Sequence, residues 1–182
     1  MLKTSDILDE KDKHLRAKNV DVTFPMEESD KKLIKEMLKH LRLSQIDEEA
    51  KKYDLRPGMG LAACQVGVNK NYFVVCYEAE EGVFEDYVII NPKIVSHSME
   101  LIYASGGEGC LSVNREVDGI VPRFARATFS YFDMDGNEQK IRVREELSIA
   151  FQHELDHLNG ILFYDHIDPK NPYKDADTMR EI

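Results

Sequence analysis

His153 and His157 stand four residues apart in the run His153-Glu154-Leu155-Asp156-His157. On a helix that spacing leaves the two imidazoles about 40° apart on one face, so both reach a single cation. Glu154 lies about 60° round from His157, near enough to exchange a proton with a water on that cation. At this chain's own residue frequencies the pattern arises by accident in roughly 2 chains of 100. The plain alternative is a solvated helix face. The core stripe of the same segment is Leu147, Ala150, Phe151, Leu155 and Leu158, and the histidines lie to one side of it, so they are not simply core residues.

Two imidazoles do not complete a site. A catalytic ion takes three protein ligands and keeps one position open. Zinc peptidases of this motif find the third ligand downstream, as a His six residues on or as a Glu. Here Phe163 occupies that place and cannot bind, His166 comes three residues too late, and the only later Glu is Glu181. A peptidase reading is therefore disfavoured. The remaining candidate is a cysteine. Of Cys64, Cys76 and Cys110, the second sits in an apolar strand-like run and reads as an inert core thiol. Cys110 lies in Gly106-Gly107-Glu108-Gly109-Cys110-Leu111-Ser112, where glycines let backbone approach a ligand closely. A third segment, Gly58-Met59-Gly60-Leu61-Ala62-Ala63-Cys64-Gln65, reads either as a turn into a packed element or as a backbone strip for an extended ligand. In the second case Gln65 supplies a directed amide donor.

The elements that must position these groups are legible in outline. Residues 29–43 form an amphipathic stripe of Leu33, Ile34, Met37, Leu38 and Leu41, with Ser29 or Asp30 as its expected cap. A short charged helical piece is expected within 44–56, before Pro57-Gly58. Tyr72–Tyr77 and Tyr87–Ile90 read as strands, the second closed by Pro92, and Lys93–Tyr103 as a weaker one. Asp135-Gly136 between Ala127–Met134 and Glu138–Val143 predicts a hairpin. A helix is expected from Glu145 to Asn159, ended by Gly160, and the tail beyond Asp165 is polar and turn-rich. Helix, strands, then helix does not alternate as βαβ units do. The expected fold is α+β, with mostly antiparallel sheets packed around the motif-bearing C-terminal helix.

The chain has 182 residues, which suits one domain over 1–182. Its 42% apolar residues allow a real core, and its longest apolar run is far short of a membrane span. With 24 Lys and Arg against 34 Asp and Glu, the net charge of −10 disfavours stable nucleic-acid binding. Three cysteines do not make a disulfide framework, and no signal segment opens the chain, so a cytoplasmic protein with no membrane partner is expected.

Together the segments resemble the motifs of the peptide deformylases, G-x-G-L-A-A-x-Q, E-G-C-x-S and Q-H-E-x-D-H. They stand here as Gly58–Gln65, Glu108–Ser112 and Gln152–His157, complete and in order. The resemblance spans about residues 5 to 168, and the charged insertion at 44–56 looks like the type 2 branch. Cys64 fills a place where Pro, Ser or Thr is common, and adds a second thiol near the site. The resemblance implies a metal-dependent hydrolase that removes the formyl group from the N-terminal formylmethionine of nascent polypeptides, met transiently at the ribosome by a monomer. It implies Cys110, His153 and His157 as ligands of one divalent ion, Fe²⁺ in cells, with Zn²⁺, Ni²⁺ or Co²⁺ able to substitute. Glu154 would be general base and acid as metal-bound water attacks the formyl carbon. Gln65 and the backbone N–H of Leu111 would hold the oxyanion, and Gly60 and Gly109 would offer backbone to substrate. Ile149 and Ala150, preceding His153 by four and three residues, are expected to wall the methionine pocket, with Met59 opposite and Glu146 at the rim. Glu108 is expected near the substrate and paired with Arg123. The rival from another class is a structural Cys/His₂ metal module, which would lack a task for Glu154.

Overall fold

The computed structural model describes residues 2–182. Helix α1 spans Glu28–Ser44 and turns its apolar stripe inward, with Ile34, Met37 and Leu41 fully buried. Neither Ser29 nor Asp30 caps it: the N-cap is Glu27, without a side-chain bond. Asp30 is instead buried and committed elsewhere, accepting from Lys70 Nζ (2.6 Å) and the Tyr72 hydroxyl (3.3 Å). The charged segment after α1 holds a short helix α2 (Asp47–Tyr53), ended by Asp54 in a left-handed conformation.

A five-stranded antiparallel sheet follows, in the order β1 (Gly60–Ala62), β2 (Tyr72–Glu80), β3 (Val83–His97), β6 (Arg126–Phe132), β7 (Glu138–Arg144). β2 explains the uninterrupted apolar run, because both its faces are covered. Tyr72, Val74 and Cys76 pack in the cluster of α1, and Phe73 and Val75 in the cluster of helix α3 (Glu145–Leu158). Phe151 of α3 anchors the second cluster, edge-on to Phe73, Tyr87 and Phe129 at 5.3–5.6 Å. A buried Phe of this kind typically loses 3–5 kcal/mol on truncation to Ala. A second sheet, β5 (Arg123–Phe124), β4 (Leu101–Tyr103), β8 (Arg180–Glu181), lies on the other side of α3. Its β4–β8 pair is parallel. The α+β architecture, with sheets packed about the motif-bearing helix, is the one expected.

Three local expectations change. Pro92 does not close a strand. β3 continues to His97 through a bulge in which Asn91 takes φ 50° and the register slips between Ile90 and Lys93. The bulge keeps the missing N–H of proline out of the ladder, and the Asn91 amide bonds both backbone groups of Val22 at 2.8 and 2.9 Å. Lys93–Tyr103 is consequently not one strand but the end of β3 and all of β4. The turn-rich tail ends in β8, which no sequence pattern announces. The hairpin at Asp135-Gly136 and the helix end at Gly160 stand where expected, with both glycines at positive φ.

Candidate metal centre and active site

Helix α3 carries His153 and His157 on the face turned away from its apolar contacts with the large sheet. Both are buried. Cys110 reaches them from the long loop between β4 and β5. That loop is strapped down by the N-terminal segment: the Glu10 N–H donates to the Ser112 carbonyl (2.8 Å), and Arg115 pairs with Glu10 (2.8 Å). One ligand atom from each of Cys110, His153 and His157 lies within 4.8 Å of the others, and Cys110 Sγ is 3.3 Å from His157 Nε2. Among the described residues no fourth His, Cys, Asp or Glu joins the group. Three convergent soft and borderline donors with an open side fit a divalent transition ion in a reactive site better than a closed structural one. Burial and the positive groups nearby hold His157 well below the usual imidazole range, so its lone pair is available to an ion.

His153 is aimed by a chain of charges. Its Nδ1 stands 2.8 Å from Glu108 Oε2, which leaves Nε2 for the ion. Glu108 in turn accepts from Arg123 Nε and Nη2 at 2.7 and 3.0 Å. The Arg123 guanidinium also donates to Asp156 (2.6 Å), and Asp156 meets His166 Nε2 (2.7 Å) near the surface. Burial pushes the Glu108 carboxyl up, but the bonds from His153 and Arg123 outweigh it and hold it down at about 2. The Glu108–Arg123 pair thus exists as expected. The Glu108 carboxylate, however, is spent on Arg123 and His153, and faces the cleft as a buried ionic support.

Glu154 is 3% exposed and packs against Gly60, where a Cβ would meet Glu154 Oε1 at 2.3 Å. Its Oε2 has no partner among the described residues. Burial lifts its carboxyl to about 7, the range a group needs to take and return a proton near neutrality. Gln65 is oriented by its own oxygen: Oε1 accepts from the Ala62 N–H at 2.8 Å. That forces Nε2 towards Ser112 Oγ (3.1 Å) and Cys110 Sγ (3.7 Å).

These groups open onto a cleft of about 450 Å³. Met59, Gly60, Gly109, Leu111, Ile149 and Ala150 line it together with Gln65, Glu108, Cys110, His153 and Glu154, while His157 does not line the cleft and joins the group through Cys110. Exposed Glu146 also lines it. Cys64 is different. It is fully buried, donates to the His157 carbonyl (3.4 Å), and burial pushes its thiol up to about 12. The second thiol thus stands beside the site, as expected, but burial keeps it protonated. Arg56 and Ile182 were not foreseen, and His166, weighed only as a ligand, instead meets Asp156. Arg56 holds the carbonyl of Val113 (3.2 Å) and that of Cys110, and Ile182 lines the cleft. No local pattern marks either residue.

Known proteins share both sequence and architecture with this chain. The polypeptide deformylase family model matches residues 4–173. Peptide deformylase 2 of Bacillus cereus is 45% identical over all of this chain and 99% of its own length. The peptide deformylase of Lactiplantibacillus plantarum is 48% identical over 98% of each. Among solved structures, peptide deformylase 1B of Arabidopsis thaliana in complex with an inhibitor superposes with a TM-score of 0.74 at 30% identity, covering 90% of this chain and 82% of that one. The Thermotoga maritima peptide deformylase gives a TM-score of 0.69 at 33% identity, over 90% and 97%. The motifs, the convergence of Cys110 with His153 and His157 of α3, and these likenesses agree: the chain belongs to the polypeptide deformylase family.

Proposed function

We propose that residues 1–182 work as one catalytic domain that hydrolyses the formyl amide of N-formylmethionine on newly made polypeptides. The observation that carries this is the buried Glu154 carboxylate, whose Oε2 has no partner among the described residues, beside the Cys110, His153 and His157 group on an open cleft. Cys110, His153 and His157 would hold one divalent ion, and Glu108 would fix the His153 ring. When bound, the ion supplies Lewis acidity towards the formyl oxygen and makes water more acidic. Glu154 takes a proton from the attacking water and delivers it to the amine nitrogen as the C–N bond breaks, leaving formate and a free N-terminus. Gln65 Nε2–H and the Leu111 N–H donate to the formyl oxygen as it gains charge, each worth about 3 kcal/mol in comparable sites. β1 lies at the edge of its sheet, so Gly60 can pair with an extended peptide as an added strand, with Gly109 opposite. The methionine side chain enters between Ile149, Ala150 and Met59.

The thiolate and two imidazoles suit Fe²⁺, with Zn²⁺, Ni²⁺ or Co²⁺ as substitutes. No helix of the described residues is long and apolar enough to cross a membrane. In this reading the protein acts as a monomer in the cytoplasm and meets the nascent chain transiently at the ribosome, where a newly made N-terminus emerges. The test is Glu154→Gln, read by formate release and metal content. Turnover should fall by 10³-fold or more while about one ion per chain is retained. A variant that loses its ion, or keeps its turnover, would overturn the role given to Glu154.

A further inference from the structure

The last strand of the chain is tied to the cleft by an arrangement that the motifs do not account for. β8 pairs in parallel with β4, Arg180 opposite Ile102 and Glu181 opposite Tyr103. The ladder carries on one residue further: the Ile182 N–H donates to the Tyr103 carbonyl (3.1 Å), and the Ser105 N–H to the Ile182 carbonyl (2.7 Å). Arg180 clamps the strand from the side. It grips both oxygens of Glu145, the first residue of α3, at 2.7 and 2.8 Å, and Glu100 at 2.9 Å. Such half-exposed ion pairs add little stability, but a bidentate guanidinium fixes position. What is positioned is Ile182. Its half-buried side chain packs in the small cluster of Ile102, Ala125 and Ile149, and lines the same cleft as Ile149 and Ala150. Ile149 is the residue one helical turn before His153, so the two isoleucines form one continuous apolar wall beside the ligand face.

We propose that Ile182 is a specificity-determining residue: with Ile149 it forms the wall against which the substrate's first side chain packs, and the Arg180 clamp holds that wall in place. This rests on the deformylase reading of the cleft and adds to it the element that selects a long, unbranched apolar side chain. A wall built by a strand remote from the catalytic motifs can set selectivity without touching the reacting atoms.

The test compares formyl-Met-Ala-Ser with formyl-Ala-Ala-Ser in the metal-loaded wild type, Ile182→Ala and Arg180→Gln. Wild-type release of formate tests the deformylase reading by itself, and failure there is distinct from failure of the inference. In Ile182→Ala the ratio of kcat/KM values, Met over Ala, should fall about 5- to 10-fold, as expected for a lost apolar wall. Arg180→Gln should move the ratio the same way by a smaller factor. Binding of the products Met-Ala-Ser and Ala-Ala-Ser, followed by calorimetry, should lose its preference in parallel. An unchanged ratio, or equal losses for both peptides, would overturn the proposal, since a purely structural role predicts the latter. If Ile182→Ala does not fold, Ile182→Val decides on the same ratio.

Discussion

Gly60→Ala tests the reading of Glu154 through a contact the structure defines closely. A Cβ at residue 60 would lie 2.3 Å from Glu154 Oε1 and 2.8 Å from both Cδ and Cγ. Ordinary contact begins near 3.5 Å, so the carboxylate must move by about 1 Å. It cannot swing freely, because Glu154 is 3% exposed on a helix whose flanking residues are packed. Nor does Gly60 itself have room to retreat, since it is paired with Val75 in β1. A displacement of about 1 Å in a proton-transferring group costs on the order of 10²-fold in rate, or about 2.7 kcal/mol of activation free energy. The assay is formate release from formyl-Met-Ala-Ser, with metal content and Tm measured on the same preparation. We expect kcat to drop by about 10² with metal content and fold preserved. A folded, metal-replete Gly60→Ala enzyme with kcat within threefold of wild type would refute the claim that this glycine exists to make room for a positioned carboxylate.

Arg123→Ala removes the shared cation of Glu108 and Asp156 and leaves two carboxylates without it. Thermal unfolding should show a loss of about 3–5 kcal/mol, and competition with a chelator should show metal affinity weakened by about 10- to 100-fold through the loosened His153. Normal values in both measurements would remove the positioning role. Cys64→Ala should inactivate in peroxide at the wild-type rate, because the native thiol is fully buried; a clearly slower loss would mean the oxidant reaches it. Asp165 offers a pH test. Burial pushes its carboxyl up, but Arg16 and the Leu162 N–H outweigh it and hold it below the usual range. Its stabilisation is therefore complete above the unfolded carboxylate pKa and lost as pH falls through the lower folded value. Asp165→Asn should lower Tm at pH 7 and match wild type at strongly acidic pH, and a Tm difference independent of pH would contradict the ion pair as its source.

The parts of this protein that were legible in the sequence are those governed by local periodicity. His153 and His157 share a face because a helix turns 3.6 residues, wherever that helix sits. The stripe of α1, the hairpin at Asp135-Gly136 and the end of α3 at Gly160 follow from equally local rules. Elimination and a glycine-rich setting left Cys110 as a candidate, and the resemblance to the deformylase motifs named it as the third ligand. The structure supplies the 4.8 Å convergence. Packing alone decided the rest. Arg123 could be guessed as a partner of Glu108. That one guanidinium also holds Asp156, and Asp156 holds His166, depends on β5 crossing α3 at one particular height. Pro92 reads as a stop because proline cannot donate, yet Val22, some seventy residues earlier, makes a bulge there worth keeping. Ile182 carries no pattern at all. A two-residue strand has too few side chains to show a period, and it becomes part of the cleft only because the edge of β4 and the first turn of α3 leave it one place to go.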